Sequence, residues 1–483
     1  MTEPLRTIVV LGGGIVALSA ALGFARALPR SKVTLIGMPP PPGALADRLP
    51  AMLPTGRAMF DLLGISEADL LRAGATHRLA NRFAQWTPNG AAWLHGFGET
   101  GMSLGTGAFY QNWLDARRGG ATSLYHQFAP AAALAEAGRF VEPAEDPRSL
   151  LSRFDYALRI DPIATARLLT ARAQRSGVIV TAGTVAAMTR TPAGDVDAVR
   201  LADGRTLSAD LYVDCSGPGT DSDWVDWSDA LPVDRLLLAA GPPTPAPLDD
   251  YEANEIGWHA LWPLRDRTLW GLGYNAAITP EPRARRIMGP AGEVAEAIPL
   301  RSGRLRAPWR GNLLALGDAA VACGPLGWAG LAVAHADLAQ AIELLPGRDL
   351  HPLLIAEYNR RATMRADRVR DFLSLHYLAA PRTAGPFWRR LREATPPANV
   401  ALALAVFMRH GQLPRHDEET FDKQDWLAVL LGLGLVPAHR DPMTPNADPA
   451  RIDAAMTQLH AAVAALPASL PSYATFLATA AAA

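Results

Sequence analysis

The feature that most constrains the fold lies at the start of the chain. Thr7-Ile-Val-Val-Leu11 is a short apolar run with the pattern of a buried strand, Gly12-Gly-Gly-Ile-Val-Ala17 is a turn, and Leu18 to Ala27 continues as an apolar helix. Lys32-Val-Thr-Leu-Ile36 is the next strand, so the segment reads as a βαβ unit with a dinucleotide-binding pattern. Gly12 suits the tight turn, Gly14 lets a pyrophosphate approach the backbone, and Ala17 is the third small residue that lets helix pack on strand. A purely structural glycine turn is the alternative. The acid that commonly ends the second strand and holds a ribose hydroxyl is missing, since that position reads Ile36-Gly37-Met38. Pro39 to Pro42 follow as a stiff spacer. The three glycines also break the apolar stretch where a signal peptide would need a continuous helix.

Two further strand ends carry the same kind of punctuation. Leu211-Tyr-Val-Asp-Cys-Ser-Gly217 reads as a buried strand closing in an acidic, small-residue turn, and Asn312 to Leu316 as another, ending at Gly317-Asp318. Together with Gly12 to Gly14 they form the recurring parts of an FAD-binding fold. Asp318 is expected on the ribityl hydroxyls, with helix capping as its alternative role. The helix from about Gly330 and Leu331 to Leu345 is expected to aim its positive end at the flavin pyrimidine. Between these ends, Asp161 to Ser176 reads as a helix and Val178 to Leu201 as strands. From residue 346 onward the pattern is mostly helical.

Composition removes several classes of partner. The 483 residues allow about three domains, and a net charge of -1 with 19% charged residues argues against nucleic acid. The two cysteines, Cys215 and Cys323, suit neither a disulfide framework nor a thiolate metal site, and no metal is expected. That cysteine usage fits a reducing compartment, so a cytoplasmic protein is expected, and no stretch is long and apolar enough for a bilayer. Lys32 and Lys423 are the only lysines.

Longer motifs point to a family. Asp210-Leu-Tyr-Val-Asp-Cys-Ser-Gly217, Leu231-Pro-Val-Asp-Arg235, Tyr156 to Asp161, Arg370 to Tyr377, Phe387-Trp388 and Trp426 to Gly432 resemble segments of the flavin-dependent tryptophan halogenases. The resemblance covers nearly the whole chain. It implies an α/β fold: a doubly wound, glutathione-reductase-like FAD core, a discontinuous substrate-side module and a helical C-terminal region. The implied partition is residues 1–345, with substrate-side segments near 75–150 and 220–300, followed by 346–483. It also implies reduced FAD from a separate flavin reductase, chloride or bromide as co-substrate, and an indole-like aromatic substrate. A homodimer is possible. In this family hypohalous acid travels through a tunnel to a lysine, and a glutamate assists.

The chain departs from the family where that chemistry takes place. Thr76-His-Arg-Leu-Ala-Asn-Arg-Phe83 places Arg78 at the lysine position, and a guanidinium stays protonated and is a poor nucleophile. Three roles are open to Arg78: orienting an oxidant, binding a substrate carboxylate, or pairing with an internal acid. Gly324 to Leu331 keeps Pro325, Leu326 and Gly330 near the flavin but has Gly327 in place of the glutamate. Trp258 and Pro263 are kept while the second tryptophan moves to Trp262. The strap that signals between flavin and substrate is traceable only as Pro50 to Pro54. His95-Gly96-Phe97 falls where the family sandwiches its substrate between rings, against the alternative of Phe97 in the core and His95 on the surface. Three functions remain in play: an FAD-dependent halogenase, an FAD monooxygenase on the same scaffold, and a flavin-fold protein that has lost turnover.

Overall fold

The computed structural model describes residues 3–49, 51–103, 108–219, 223–327, 329–441 and 448–482. Pro50 of the strap tract, Trp328 and the last residue of the alanine tail lie outside them. The chain divides into two compact units, 1–75 with 159–228 and 298–369, and 76–158 with 229–297 and 370–483. This differs from the expected partition. The two inserted segments group with the C-terminal part, and the division falls at 369 instead of 345, inside the 27-residue helix Pro352–Leu378.

The first unit is built on a mostly parallel sheet in the order Trp309–Arg310, Leu313–Ala315, Leu211–Asp214, Thr7–Leu11, Lys32–Gly37, Ile179–Ala182. The strand Thr7–Leu11 is central, with Val10 level with Val213 on one side and Leu35 on the other. Its continuous apolar run, instead of an alternating one, is what a strand covered on both faces requires; Ile8 and Val10 are fully buried. Helix Ile15–Ala27 packs against helices Pro162–Arg175 and Gly330–Glu343.

In the second unit an antiparallel run, Arg235–Gly241, Thr268–Tyr274, Gly257–Pro263 and Leu248–Asn254, is extended by Ala80–Ala84 and Trp93–Gly96. The pairing of Leu248–Asn254 with Ala80–Ala84 is parallel and sets Asp249 opposite Asn81. Helices Pro386–Leu391, Ala398–His410, Lys423–Gly432 and Pro449–Ala465 follow. No helix among the described residues is long and apolar enough to cross a membrane.

Candidate functional site

The glycine turn is held by the chain at the ends of both neighbouring strands. Gly12 takes φ +134°, donates its N–H to the Ile36 carbonyl at 3.0 Å, and leaves no room for a side chain, since a Cβ would stand 2.6 Å from the Cys215 carbonyl oxygen. Ala17 is fully buried against it. Helix Ile15–Ala27 then starts at Gly14 with no cap from Gly14 itself, leaving first-turn N–H groups for an outside acceptor. That acceptor is Asp47. Its Oδ1 takes the Val16 N–H at 2.8 Å, and the Ile15 N–H also points to the carboxyl. Desolvation raises the Asp47 carboxyl to about 6 against these hydrogen bonds, which favour its charged form.

Asp318 follows strand Leu313–Ala315 in the turn Gly317–Ala319 and is also buried. Its Oδ2 accepts the Ala46 N–H at 2.8 Å. Burial first, and the nearby Asp47 charge second among the raising causes, push its carboxyl up to about 8. Helix Gly330–Glu343 begins without a side-chain cap; buried Pro325 and Leu326 precede it, and its second residue, Leu331, is buried. The donor set fits FAD: the first turn already binds an anionic oxygen, the glycine cradle has no side chains of its own, and a carboxyl stands at the end of a neighbouring strand.

The second unit holds the residue at the family lysine position. Arg78 ends the strand Thr76–Arg78 and is completely buried. Its Nη1 donates to Asp249 Oδ2 at 2.9 Å and to Asn81 Oδ1 at 3.0 Å, and its guanidinium carbon lies 5.0 Å from the centre of the Phe97 ring. Asp249 is equally buried. Of the roles open to Arg78, the geometry supplies the internal pair.

His95 is a correction to the surface alternative, because only 2% of it is exposed. Its Nε2 lies 2.8 Å from Asp425 Oδ1, and its ring meets Phe97 edge to face at 5.9 Å. Asp425 is fixed in turn by a reciprocal cap with Asp422 at the head of helix Lys423–Gly432. Trp258 and Trp262 are both buried; their Nε1 groups donate to the Tyr377 hydroxyl at 3.1 Å and the Tyr251 hydroxyl at 3.2 Å. The Trp258 ring lies on Gly273, where a Cβ would come within 2.7 Å of it.

Sequence reasoning missed Asp47, Asp249 and Asp425. An acid three residues before a cap partner can be read locally in Asp422 and Asp425. The other two act across 31 and 171 residues and leave no local signal.

Comparison with known proteins gives the family. A tryptophan halogenase family model matches residues 7–449. The tryptophan 7-halogenase RebH of Lentzea aerocolonigenes is 27% identical, with 90% of this chain and 91% of that protein covered. The tryptophan 6-halogenase SttH of Streptomyces toxytricini is 28% identical over 86% and 87%. The structure of BrvH, a flavin-dependent halogenase from Brevundimonas sp. BAL3, superposes with a TM-score of 0.91 at 30% identity over 99% of both chains. The fold and these matches define a mixed α/β flavoprotein of the oxidoreductase class. Within it, the chain belongs to the tryptophan halogenase family, whose flavin-dependent enzymes work with reduced FAD and halide.

Proposed function

We propose that this chain is an FAD-dependent halogenase-class oxidoreductase acting on tryptophan or another indole or aryl compound, and that it does so without an amine to carry the oxidant. The observation that carries the FAD part is the gathering of Gly14, Asp318 and Gly330 in one unit. Gly12, Gly14 and the first-turn N–H groups would hold the pyrophosphate, and Asp318 a ribityl hydroxyl. The start of helix Gly330–Glu343 would favour negative charge at the pyrimidine end. Bound reduced FAD supplies the electrons that activate oxygen. With one dinucleotide fingerprint, at Gly12 to Gly14, the chain depends on a separate reductase for them.

The buried Arg78–Asp249 pair favours a second reading, oxygen transfer to the aromatic substrate instead of halogen transfer. Arg78 is tied up against Asp249, and a guanidinium is a poor nucleophile toward hypohalous acid where a lysine amine would serve. The deciding experiment supplies reduced FAD from a partner reductase, oxygen and bromide, offers tryptophan and indole, and follows products by mass spectrometry. Retained FAD with slow bromination of tryptophan or indole is the expected result. Rapid bromination would overturn the assignment of Arg78 as a structural pair. Hydroxylated product would select the second reading, and bound FAD without any product the impaired one.

A further inference from the structure

One short turn touches three of the positions that the FAD reading requires. Within Leu45–Arg48, Asp47 accepts the Val16 N–H, and its carboxyl fills the space over Gly14, where a Cβ would run into it. One residue earlier, Ala46 gives its N–H to Asp318. The Ala46 Cβ also stands 3.3 Å from where a Cβ on Gly330 would be. The anion donors, the ribityl acceptor and the glycine heading the second helix therefore share one partner, Ala46–Asp47. Both residues are buried, and the turn is braced behind them by the Ala44 N–H on the Pro41 carbonyl at 3.0 Å.

A carboxylate oxygen and a phosphate oxygen are the same kind of acceptor for a helix N-terminus, and the first-turn N–H groups cannot serve both in one place. We propose that the turn Leu45–Arg48 is an internal occupant of the FAD site, which the cofactor must displace in order to bind. The proposal rests on the FAD reading above. The affinity measured for FAD is then the intrinsic affinity reduced by the fraction of chains in which the turn has moved out.

The test titrates FAD, and separately ADP as a probe for the pyrophosphate half, into full-length wild type, Asp47→Ala and Asp47→Asn. Flavin fluorescence and equilibrium dialysis give the affinities, and thermal melting checks the fold. Asp47→Ala is expected to bind both ligands about tenfold or more tightly than wild type, as removal of a competing conformer requires. Asp47→Asn should show a smaller gain, because its amide oxygen still accepts the Val16 N–H but carries no charge. Equal or weaker binding by a folded Asp47→Ala would overturn the proposal and leave the FAD reading standing. If Asp47→Ala does not fold, unchanged affinity in Asp47→Asn overturns it instead. Failure of all three proteins to bind FAD or ADP at millimolar concentration would remove the FAD reading, and the proposal with it.

Discussion

Arg78 Nη1 and Asp249 Oδ2 lie 2.9 Å apart, and neither side chain is exposed. A buried pair of this kind stabilises little relative to apolar residues of the same volume, but removing one member leaves an uncompensated charge. Asp249→Ala is therefore expected to destabilise the protein by about 3 to 5 kcal/mol. Arg78→Met with Asp249→Leu should cost much less than either single change. Urea unfolding of wild type, Asp249→Ala, Arg78→Met, Asp249→Leu and the double variant checks this, and additive effects would show that the two side chains are not coupled.

Restoring the family chemistry meets a backbone obstacle. Gly327 has φ +73°, in the left-handed region, where a side chain costs roughly 1 to 2 kcal/mol. Arg78→Lys combined with Gly327→Glu should gain little bromination of tryptophan and should melt lower than Arg78→Lys alone. Efficient bromination by the double variant, seen by mass spectrometry, would contradict this.

Asp425 has two duties, His95 and the head of its helix. Asp425→Ala should cost about 1 to 2 kcal/mol, typical of a lost N-cap arrangement with an added buried partner. His95→Phe should cost less than that, since it leaves the cap with Asp422 in place. Denaturant midpoints at a fixed pH separate the two.

Asp318 gives the cofactor-free protein an unusual pH response. Its carboxyl titrates at about 8 in the fold against 3.8 as the ordinary value, so the folded state holds the proton over the range in which the unfolded chain has lost it. Stability from this group is complete below about 4 and is lost as pH rises through 8. Asp47, at about 6, acts in the same direction between about 4 and 6. Asp318→Asn should flatten the decline in melting temperature between pH 5 and 8; a slope equal to that of wild type would refute the assignment.

His376 works in the opposite sense. Burial lowers it to about 3 from 6.5, with the His95 charge adding to the effect. The unfolded chain takes up a proton first, so this contribution is present above about 6.5 and is lost as pH falls toward 3. His376→Phe should make acid unfolding less steep across that window, and an unchanged acid limb would count against it.

The local grammar of the chain was readable where one segment decides its own fate. The glycine turn at Gly12 to Gly14, the strand Leu211–Asp214 and the helix heading at Gly330 were legible because apolar runs and breakers need no distant partner to be recognised. Helix Pro162–Arg175 was likewise set by Asp161, whose side chain accepts the Ala164 N–H. What could not be read was who meets whom. The neutralisation of Arg78 depends on a parallel pairing between strands far apart in sequence. Asp47 follows a proline-rich spacer that carries no periodicity, so nothing nearby announces that its carboxyl turns back to the first helix. His95 admits a surface reading from the sequence because nothing in Trp93-Leu-His-Gly-Phe97 announces an aspartate 330 residues away.

The tryptophan lying on Gly273 has a meaning for how this sheet can change. Trp258 and Gly273 are direct cross-strand partners, and Trp262 stands in the same relation of crowding to Gly271. In each case a large ring occupies the volume that a glycine on the neighbouring strand gives up, directly opposite for Trp258 and diagonally for Trp262, whose own partner is Leu269, so neither position is free to vary alone. A methyl group added to either glycine must be matched by a smaller ring across the ladder, and a shrunken tryptophan leaves a void until its glycine grows. Substitutions here are admissible as exchanges between strands, and a single-residue scan of these four positions would record each as intolerant while missing the paired replacements the sheet can accept.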